Sequence, residues 1–171
     1  MYGFKVAFVR NRKFSLIGWL LQLTESLNIL FTERRFYWVP YQHASFFCKK
    51  CSRWFDANDL SVKALTHREF ADRYDLVDLY DFNTIIPPNA RAWLDEQVGK
   101  AYSFPAIFRI LRKFKRELFG KSVAPRVDGN QGFICTEIVL KAMKKSGYII
   151  DSEVLEISSL YETKQIVKRF K

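Results

Sequence analysis

The chain has 171 residues, the length of one ordinary domain, and we expect a single domain over residues 1–171. Hydrophobic residues make up 49% of the sequence and charged residues 27%, a globular composition that excludes a disordered, collagen-like or membrane-spanning chain. A formal net charge of +10 favours polyanionic neighbours without naming one of them.

The first predicted elements are a strand and a long helix. An alternating run predicts a strand at 4–9, and residues 14–31 have the spacing of an amphipathic helix. Gln22, Glu25 and Asn28 interrupt this apolar stretch, so it fails as a membrane span. We expect the apolar face of the helix to pack on a sheet. The residues of that face are Leu16, Trp19, Leu20, Leu23, Leu27 and Phe31.

The middle of the chain is rich in strands. They are predicted at 41–48, 51–57, 62–65 and 75–82. A tight turn at Lys49 and Lys50 joins the first two. A short helix at 67–74 separates the last two, and it begins with Thr66 and Glu69 at capping-box spacing.

Three further helices complete the predicted elements. They are expected at 89–98, 104–119 and 135–147, and the second is strongly basic. Each ends at a glycine, respectively Gly99, Gly120 and Gly147. Strands clustered in the middle with helices on either side predict an α+β fold, an antiparallel sheet packed against helices.

The cysteines and the N-terminus bear on the compartment. Three cysteines are an odd number, too few for a disulfide scaffold, so we expect free thiols in a reducing compartment. The first residues show an alternating run before basic residues, the reverse of an export signal, and no membrane span follows. These patterns predict synthesis in the cytoplasm without a signal peptide.

Cys135 is the candidate nucleophile, because it lies where a polar loop turns into the last predicted helix. A free thiol with a pKa near ~8.5 is mostly protonated at neutral pH, so a nucleophilic cysteine needs a cationic partner or a helix N-terminus. The unpaired N–H groups of a first helical turn would also face an oxyanion on a substrate carbonyl. The commoner role of a lone cysteine is that of a small buried apolar residue.

His43 is the better of two histidine candidates for the base. It lies on an apolar strand that holds it rigidly, whereas His67 lies at an exposed helix start. The alternative is a structural histidine at the edge of the core. A symmetric two-residue turn would place Asp56 opposite His43, where it would hold one ring nitrogen and leave the other for the thiol. A one-residue slip would turn Asp56 to the opposite face.

Four segments occur in the order seen in circularly permuted NlpC-type proteins, a branch of the papain-like superfamily in which the histidine precedes the cysteine. They are YQHASFF with His43, WFDAN with Asp56, VGKAYSF with Tyr102, and FICTEIVLKAMKKSGY with Cys135. The last segment resembles the family's Cys-Ser-Glu helix start and is the most specific of the four. The chain departs from the family at Ala44 and Ser45 after the histidine, and at Ser103 after the tyrosine.

The resemblance implies a permuted papain-like fold and a cysteine hydrolase that cleaves an amide bond, with peptidoglycan peptides as the first expected substrate. Cys135 would be the nucleophile, His43 the general base and Asp56 the residue that orients it. Tyr102 would border the site, and Tyr41 is predicted to bind substrate with it. No cofactor or metal is expected. A phage-encoded or virion-associated origin would explain how a chain without an export signal reaches a cell wall.

Other interpretations stay open. The same fold would suit a lipid or amide acyltransferase or thioesterase, or a binding module without turnover. Cys48 and Cys51 have the spacing of half a zinc site or a redox pair, but the other zinc half is missing and the segment turns a hairpin. The basic helix at 104–119 is typical of a membrane or anionic-polymer contact, or of a solvated face over a core stripe. No nucleic-acid module is present, so nucleic acid is not an expected partner.

Overall fold

The structure, a computed structural model, describes residues 3–34, 36–58, 61–82, 86–103 and 135–148. The described parts form an α+β fold with a five-stranded antiparallel sheet and four helices, which confirms the predicted class. The strands are β1 (Phe4–Asn11), β2 (His43–Cys48), β3 (Arg53–Asn58), β4 (Ser61–Leu65) and β5 (Tyr74–Phe82). The helices are α1 (Leu16–Glu33), α2 (His67–Arg73), α3 (Pro88–Gln97) and α4 (Cys135–Lys145). The basic helix predicted at 104–119 lies outside the described residues.

The predicted helix ends are formed by the expected caps. Thr66 accepts a hydrogen bond from the N–H of Glu69, whose carboxylate accepts in return from the N–H of Thr66, so the capping box is complete. Gly99 and Gly147 take φ values of 89° and 92°, the left-handed conformation that glycine adopts at helix C-termini. Local chemistry therefore determines where α2, α3 and α4 begin or end.

Strand β1 lies inside the sheet, whose strand order is β4-β3-β2-β1-β5. Val6 faces Phe46 of β2 on one side and Tyr80 of β5 on the other. Successive residues of a strand point to opposite faces, and both Val6 and its neighbour Ala7 are buried, so both faces of the sheet are covered.

Two apolar clusters cover these faces. The larger cluster contains Phe4, Phe8, Phe46 and Phe55 of the sheet, Leu94 of α3, and Cys135, Ile138, Val139 and Met143 of α4. The smaller one contains Ala7, Val9, Phe47, Trp54, Leu65, Phe70 and Tyr74. Phe70 of α2 stacks on Trp54 with ring centroids 3.9 Å apart, which places α2 over the smaller cluster.

Replacing Phe46 by alanine is expected to lower the free energy of unfolding by about 3–5 kcal/mol, because the ring is fully buried and its removal leaves a cavity. The Phe46 ring also stacks on Phe4 with centroids 4.8 Å apart. Phe14→Ala is the matched control, since that ring is exposed and its loss should change the free energy of unfolding by less than about 0.5 kcal/mol. Urea denaturation measures the free energy of unfolding of both variants. Equal losses in the two variants would contradict the position of Phe46 in the core.

The pairing of β2 with β3 differs from the prediction by two residues. Phe46 faces Phe55 rather than Arg53, so the predicted direct opposition of His43 and Asp56 is wrong. A shift by an even number of residues keeps every side chain on its face of the sheet, because the side-chain period of a strand is two. His43 and Asp56 therefore remain on one face and lie diagonally to each other.

The turn that sets this register spans residues 49–52, and Ser52 takes a left-handed φ of 52°. It brings the Cα atoms of Cys48 and Cys51 to 5.6 Å, and the two residues form a disulfide. The expectation of free thiols is therefore wrong for this pair, and Cys135 is the free cysteine of the described chain. Within the described ranges, no group of three His, Cys, Asp or Glu side chains is placed to hold a metal ion.

Helix α1 turns its leucine-rich face away from the sheet. Its buried residues include Gly18, Leu21, Gln22 and Glu25. The predicted apolar face is exposed at Leu16 and Trp19 and only half-buried at Leu20, Leu23 and Leu27. The expectation that these residues pack on the sheet is therefore wrong; the side chain of Phe31 lies outside the described set. None of the helices described here is long and apolar enough to cross a membrane.

Candidate active site

His43 joins the other two members of the predicted triad. It is the first residue of β2, pairs with Val9 of β1 and is buried. Its Nε2 hydrogen-bonds Oδ1 of Asp56, and Cys135 lies close enough to act on the pKa of the imidazole by its charge and by hydrogen bonding. Because Nε2 is engaged by Asp56, Nδ1 is the nitrogen left for the sulfur.

Asp56 is completely buried and accepts three hydrogen bonds. Besides the bond from His43, Ser45 Oγ donates to Oδ1 at 2.6 Å and Tyr74 OH donates to Oδ2 at 2.7 Å. Burial by itself raises the pKa of this carboxyl, but the charge of His43 and the hydrogen bonds from His43, Ser45 and Tyr74 outweigh it and lower the pKa. The site therefore holds Asp56 as a carboxylate.

The pKa of His43 is raised from 6.5 to about 10. Burial opposes the charged imidazole and lowers the pKa, but the charges of Asp56 and Cys135 and the hydrogen bonds to both residues raise it by more. The imidazole is consequently held as imidazolium at neutral pH, between a carboxylate and a sulfur. A cationic partner of this kind is what a nucleophilic cysteine requires.

A second set of side chains holds His43 and Asp56 in place. The ring of Tyr74 stacks on the His43 ring with centroids 5.4 Å apart, while its hydroxyl donates to Asp56. Asn58 donates in turn to the hydroxyl of Tyr74 at 2.6 Å and to Oδ1 of Asn11 at 3.4 Å. These contacts come from β1, β3 and β5, so three strands orient one imidazole.

Sequence reasoning missed Ser45 and Tyr74 as partners of Asp56. Ser45 lies two residues after His43 and so shares its face of the strand, a signal that the sequence carried. Ser45 was also one of the departures from the NlpC-type pattern, and the structure shows what it contacts. Tyr74 carried no comparable signal, because its place beside Asp56 depends on the pairing of β5 with β1.

The other predicted site residues, Cys135, Tyr102 and Tyr41, differ from one another in their surroundings. Cys135 is buried at the start of α4, which packs on β2 and β3. Tyr102 is close enough to the site for its pKa to be raised well above 10, by burial and then by the charges of Cys135, Asp56 and Glu137. Tyr41 packs against Phe8 in the larger cluster, with ring centroids 5.4 Å apart.

A cavity of about 100 Å³ lies beside His43. Its lining includes the polar side chains of Asn11, Gln42, Asn58 and Tyr102 and the apolar side chains of Ile17 and Leu21. Gly18 also lines it, and a Cβ there would lie 3.1 Å from Nδ2 of Asn11, so this close approach favours glycine. Tyr41 is not part of this lining.

The stability of the protein is expected to fall as the pH rises from about 6.5 towards 10. The folded-state pKa of His43 lies above its ordinary value of 6.5, so its interaction with Asp56 contributes stability that is complete below pH 6.5 and lost as the pH rises through about 10. The lowered pKa of Asp56 acts at the other end, where stability is lost as the pH falls below its ordinary value of 3.8.

Urea unfolding of the wild type and of His43→Gln at pH 6, 8 and 10 measures the alkaline part of this effect. The variant should be less stable than the wild type at pH 6, and its stability should change less between pH 6 and pH 10. Parallel pH profiles would show that the imidazole has no raised pKa.

Comparison of the chain with protein-family models, with curated proteins and with solved structures gives no match.

Proposed function

We propose that this protein is a cysteine hydrolase with a circularly permuted papain-like fold of the NlpC type, which cleaves an amide bond in peptidoglycan peptides. Cys135 is the nucleophile, His43 the general base and acid, and Asp56 the group that orients His43. One observation carries the proposal: the buried imidazole of His43 hydrogen-bonds the Asp56 carboxylate and lies within reach of the charge and hydrogen bonding of Cys135.

The proposed reaction follows from this geometry. The proton of the Cys135 thiol resides on His43 before the attack, and the sulfur attacks the substrate carbonyl carbon to form a tetrahedral oxyanion near the N–H groups of the first turn of α4. The C–N bond breaks, the imidazolium gives its proton to the departing amine, and a thioester remains on Cys135. Water then attacks the thioester with His43 as base, and the carboxylic acid leaves as the thiol is restored.

Alkylation by chloroacetamide tests the activated thiol directly. An ordinary thiol is only a few per cent thiolate at pH 7, so His43→Ala is expected to slow alkylation of Cys135 about tenfold. The matched control is His67→Ala, since His67 accepts a hydrogen bond from Trp54 and has no contact with Asp56 among the described bonds. Mass spectrometry of non-reduced protein locates the adduct. Equal, slow alkylation of the wild type and both variants would contradict the proposal and favour a binding module without a reactive thiol.

The substrate needs a separate measurement. A screen of muropeptides against phospholipids distinguishes peptidoglycan amide hydrolysis from the second candidate, hydrolysis or transfer of a lipid acyl group. The second candidate is favoured by Ile17 and Leu21, which give the cavity beside His43 an apolar wall. Release of an amine from muropeptides supports the first candidate, whereas release of fatty acid or lysophospholipid supports the second.

A further inference from the structure

The N-terminal half of α1 presents an exposed apolar surface. Phe14, Leu16 and Trp19 expose 82%, 59% and 39% of their surface. Half-buried leucines continue the same side of the helix at Leu20, Leu23 and Leu27. The spacing from Leu16 to Leu27 follows one helical face, which we call the α1 apolar face together with Phe14 and Trp19.

A side of α1 adjacent to this face is fixed to the protein by polar contacts. The N–H of Val39 donates to Ser26 Oγ at 3.0 Å, and Gln42 Nε2 donates to Gln22 Oε1 at 3.0 Å. Gln22 Nε2 donates in turn to the carbonyl of Val39. These bonds satisfy buried polar groups that would be left unpaired if α1 were rotated about its axis. The outward direction of the leucines is therefore a property of the fold.

Cations lie at both ends of the α1 apolar face. Arg10 and Arg12 share the single carboxylate of Asp75, at 3.6 and 2.9 Å, and Lys13 is exposed next to them. Arg34 is exposed at the C-terminal cap of the helix. The ends of the surface are therefore positively charged, and the chain as a whole carries a formal charge of +10.

Three aromatic side chains in the segment after α1 are also exposed, namely Phe36, Tyr37 and Trp38. Tyrosine and tryptophan are amphipathic and favour the boundary between lipid headgroups and acyl chains. Leucine, tryptophan and phenylalanine on one face, with cations beside them, is the composition of a helix that lies in a membrane interface.

We propose that the α1 apolar face docks the protein on an anionic lipid bilayer, with the cations at the two helix ends against lipid phosphates. Ile17 and Leu21, on other sides of the same helix, line the cavity beside His43, so docking holds that cavity within one helix diameter, about 10 Å, of the lipid surface. This consequence rests on the proposed function: the thiol would then act on an amphiphilic substrate held at the membrane.

Cosedimentation of the full chain with vesicles tests the docking. The vesicles contain phosphatidylcholine and phosphatidylglycerol in a ratio of 7:3, with pure phosphatidylcholine as the comparison. We expect binding to the anionic vesicles at 0.1 M salt and several-fold weaker binding at 0.5 M salt, because salt screens the cations. Phe14→Ser combined with Leu16→Ser should lower the partition coefficient at least tenfold, since two exposed apolar side chains no longer enter the interface.

Leu76→Ser combined with Leu79→Ser is the matched control, because both leucines are exposed but belong to β5 and not to the α1 apolar face. It should bind vesicles like the wild type. Cys135→Ala should also bind normally, so vesicle binding without thiol reactivity would support the docking and refute the enzymatic function. Undiminished binding of the α1 variant, or no binding of the wild type to anionic vesicles, would overturn the docking. A dimer that the α1 substitutions dissociate would overturn it too, since the face would then pair two copies of the chain.

Discussion

Cys135→Ala is expected to abolish acyl transfer from an activated ester such as p-nitrophenyl acetate, with a rate at least about 10⁴-fold below that of the wild type. The substitution removes the atom that forms the covalent bond, and it replaces one small buried side chain by another at the start of α4. Mass spectrometry should find an acetyl group on Cys135 in the wild type and none in the variant.

Cys48→Ser combined with Cys51→Ser is the control for this experiment, since it removes the other two sulfur atoms and leaves Cys135 in place. Its acyl-transfer rate should stay within about twofold of the wild-type rate at a temperature where both are folded. Retention of acyl transfer by Cys135→Ala would eliminate this residue as the nucleophile.

Asp56→Asn is expected to lower the acyl-transfer rate by about 10³- to 10⁴-fold, as loss of the orienting carboxylate does in other triads. The amide cannot balance the imidazolium, so the pKa of His43 should fall from about 10 and the alkaline loss of stability should shrink. The amide also turns a donor towards the hydroxyl of Ser45 or of Tyr74. In the wild type both hydroxyls donate to the carboxylate.

Asp95→Asn is the matched control, because Asp95 is exposed and forms an ion pair with Arg91 on the same helix. It should leave the rate, the pH profile and the stability nearly unchanged. A lower acyl-transfer rate together with a changed pH profile indicates that Asp56 orients His43. A purely structural role would change the stability alone. An Asp56→Asn protein that is merely less stable, with normal turnover at a temperature where it is folded, would show that Asp56 only supports the fold.

Local patterns were sufficient to predict most elements of the described chain. The Thr66 capping box, the terminal glycines at 99 and 147 and the period-two runs each act within a few residues, so they predict helix ends and strands directly. The same locality explains why Cys135 was expected at a helix start and His43 on a strand, as the structure has them.

The register of the β2–β3 hairpin was not predictable in this way. A two-residue turn and the observed turn at 49–52 are both compatible with the flanking strands, and the choice depends on the left-handed Ser52 and on the Cys48–Cys51 pair. The prediction that His43 meets Asp56 holds in the structure although the register was wrong, because an even shift preserves the face.

The sequence by itself determined the alternation of strands and helices, the helix caps and the residue types of the candidate triad, because these depend on neighbours along the chain. Only the tertiary structure decided the surroundings of Asp56 and the direction of α1. Tyr74 reaches Asp56 through the pairing of β5 with β1, and Gln22 turns inward because Val39 and Gln42 return to meet it. Both outcomes depend on the free energy of satisfying buried polar groups with partners distant in sequence, which no local pattern encodes.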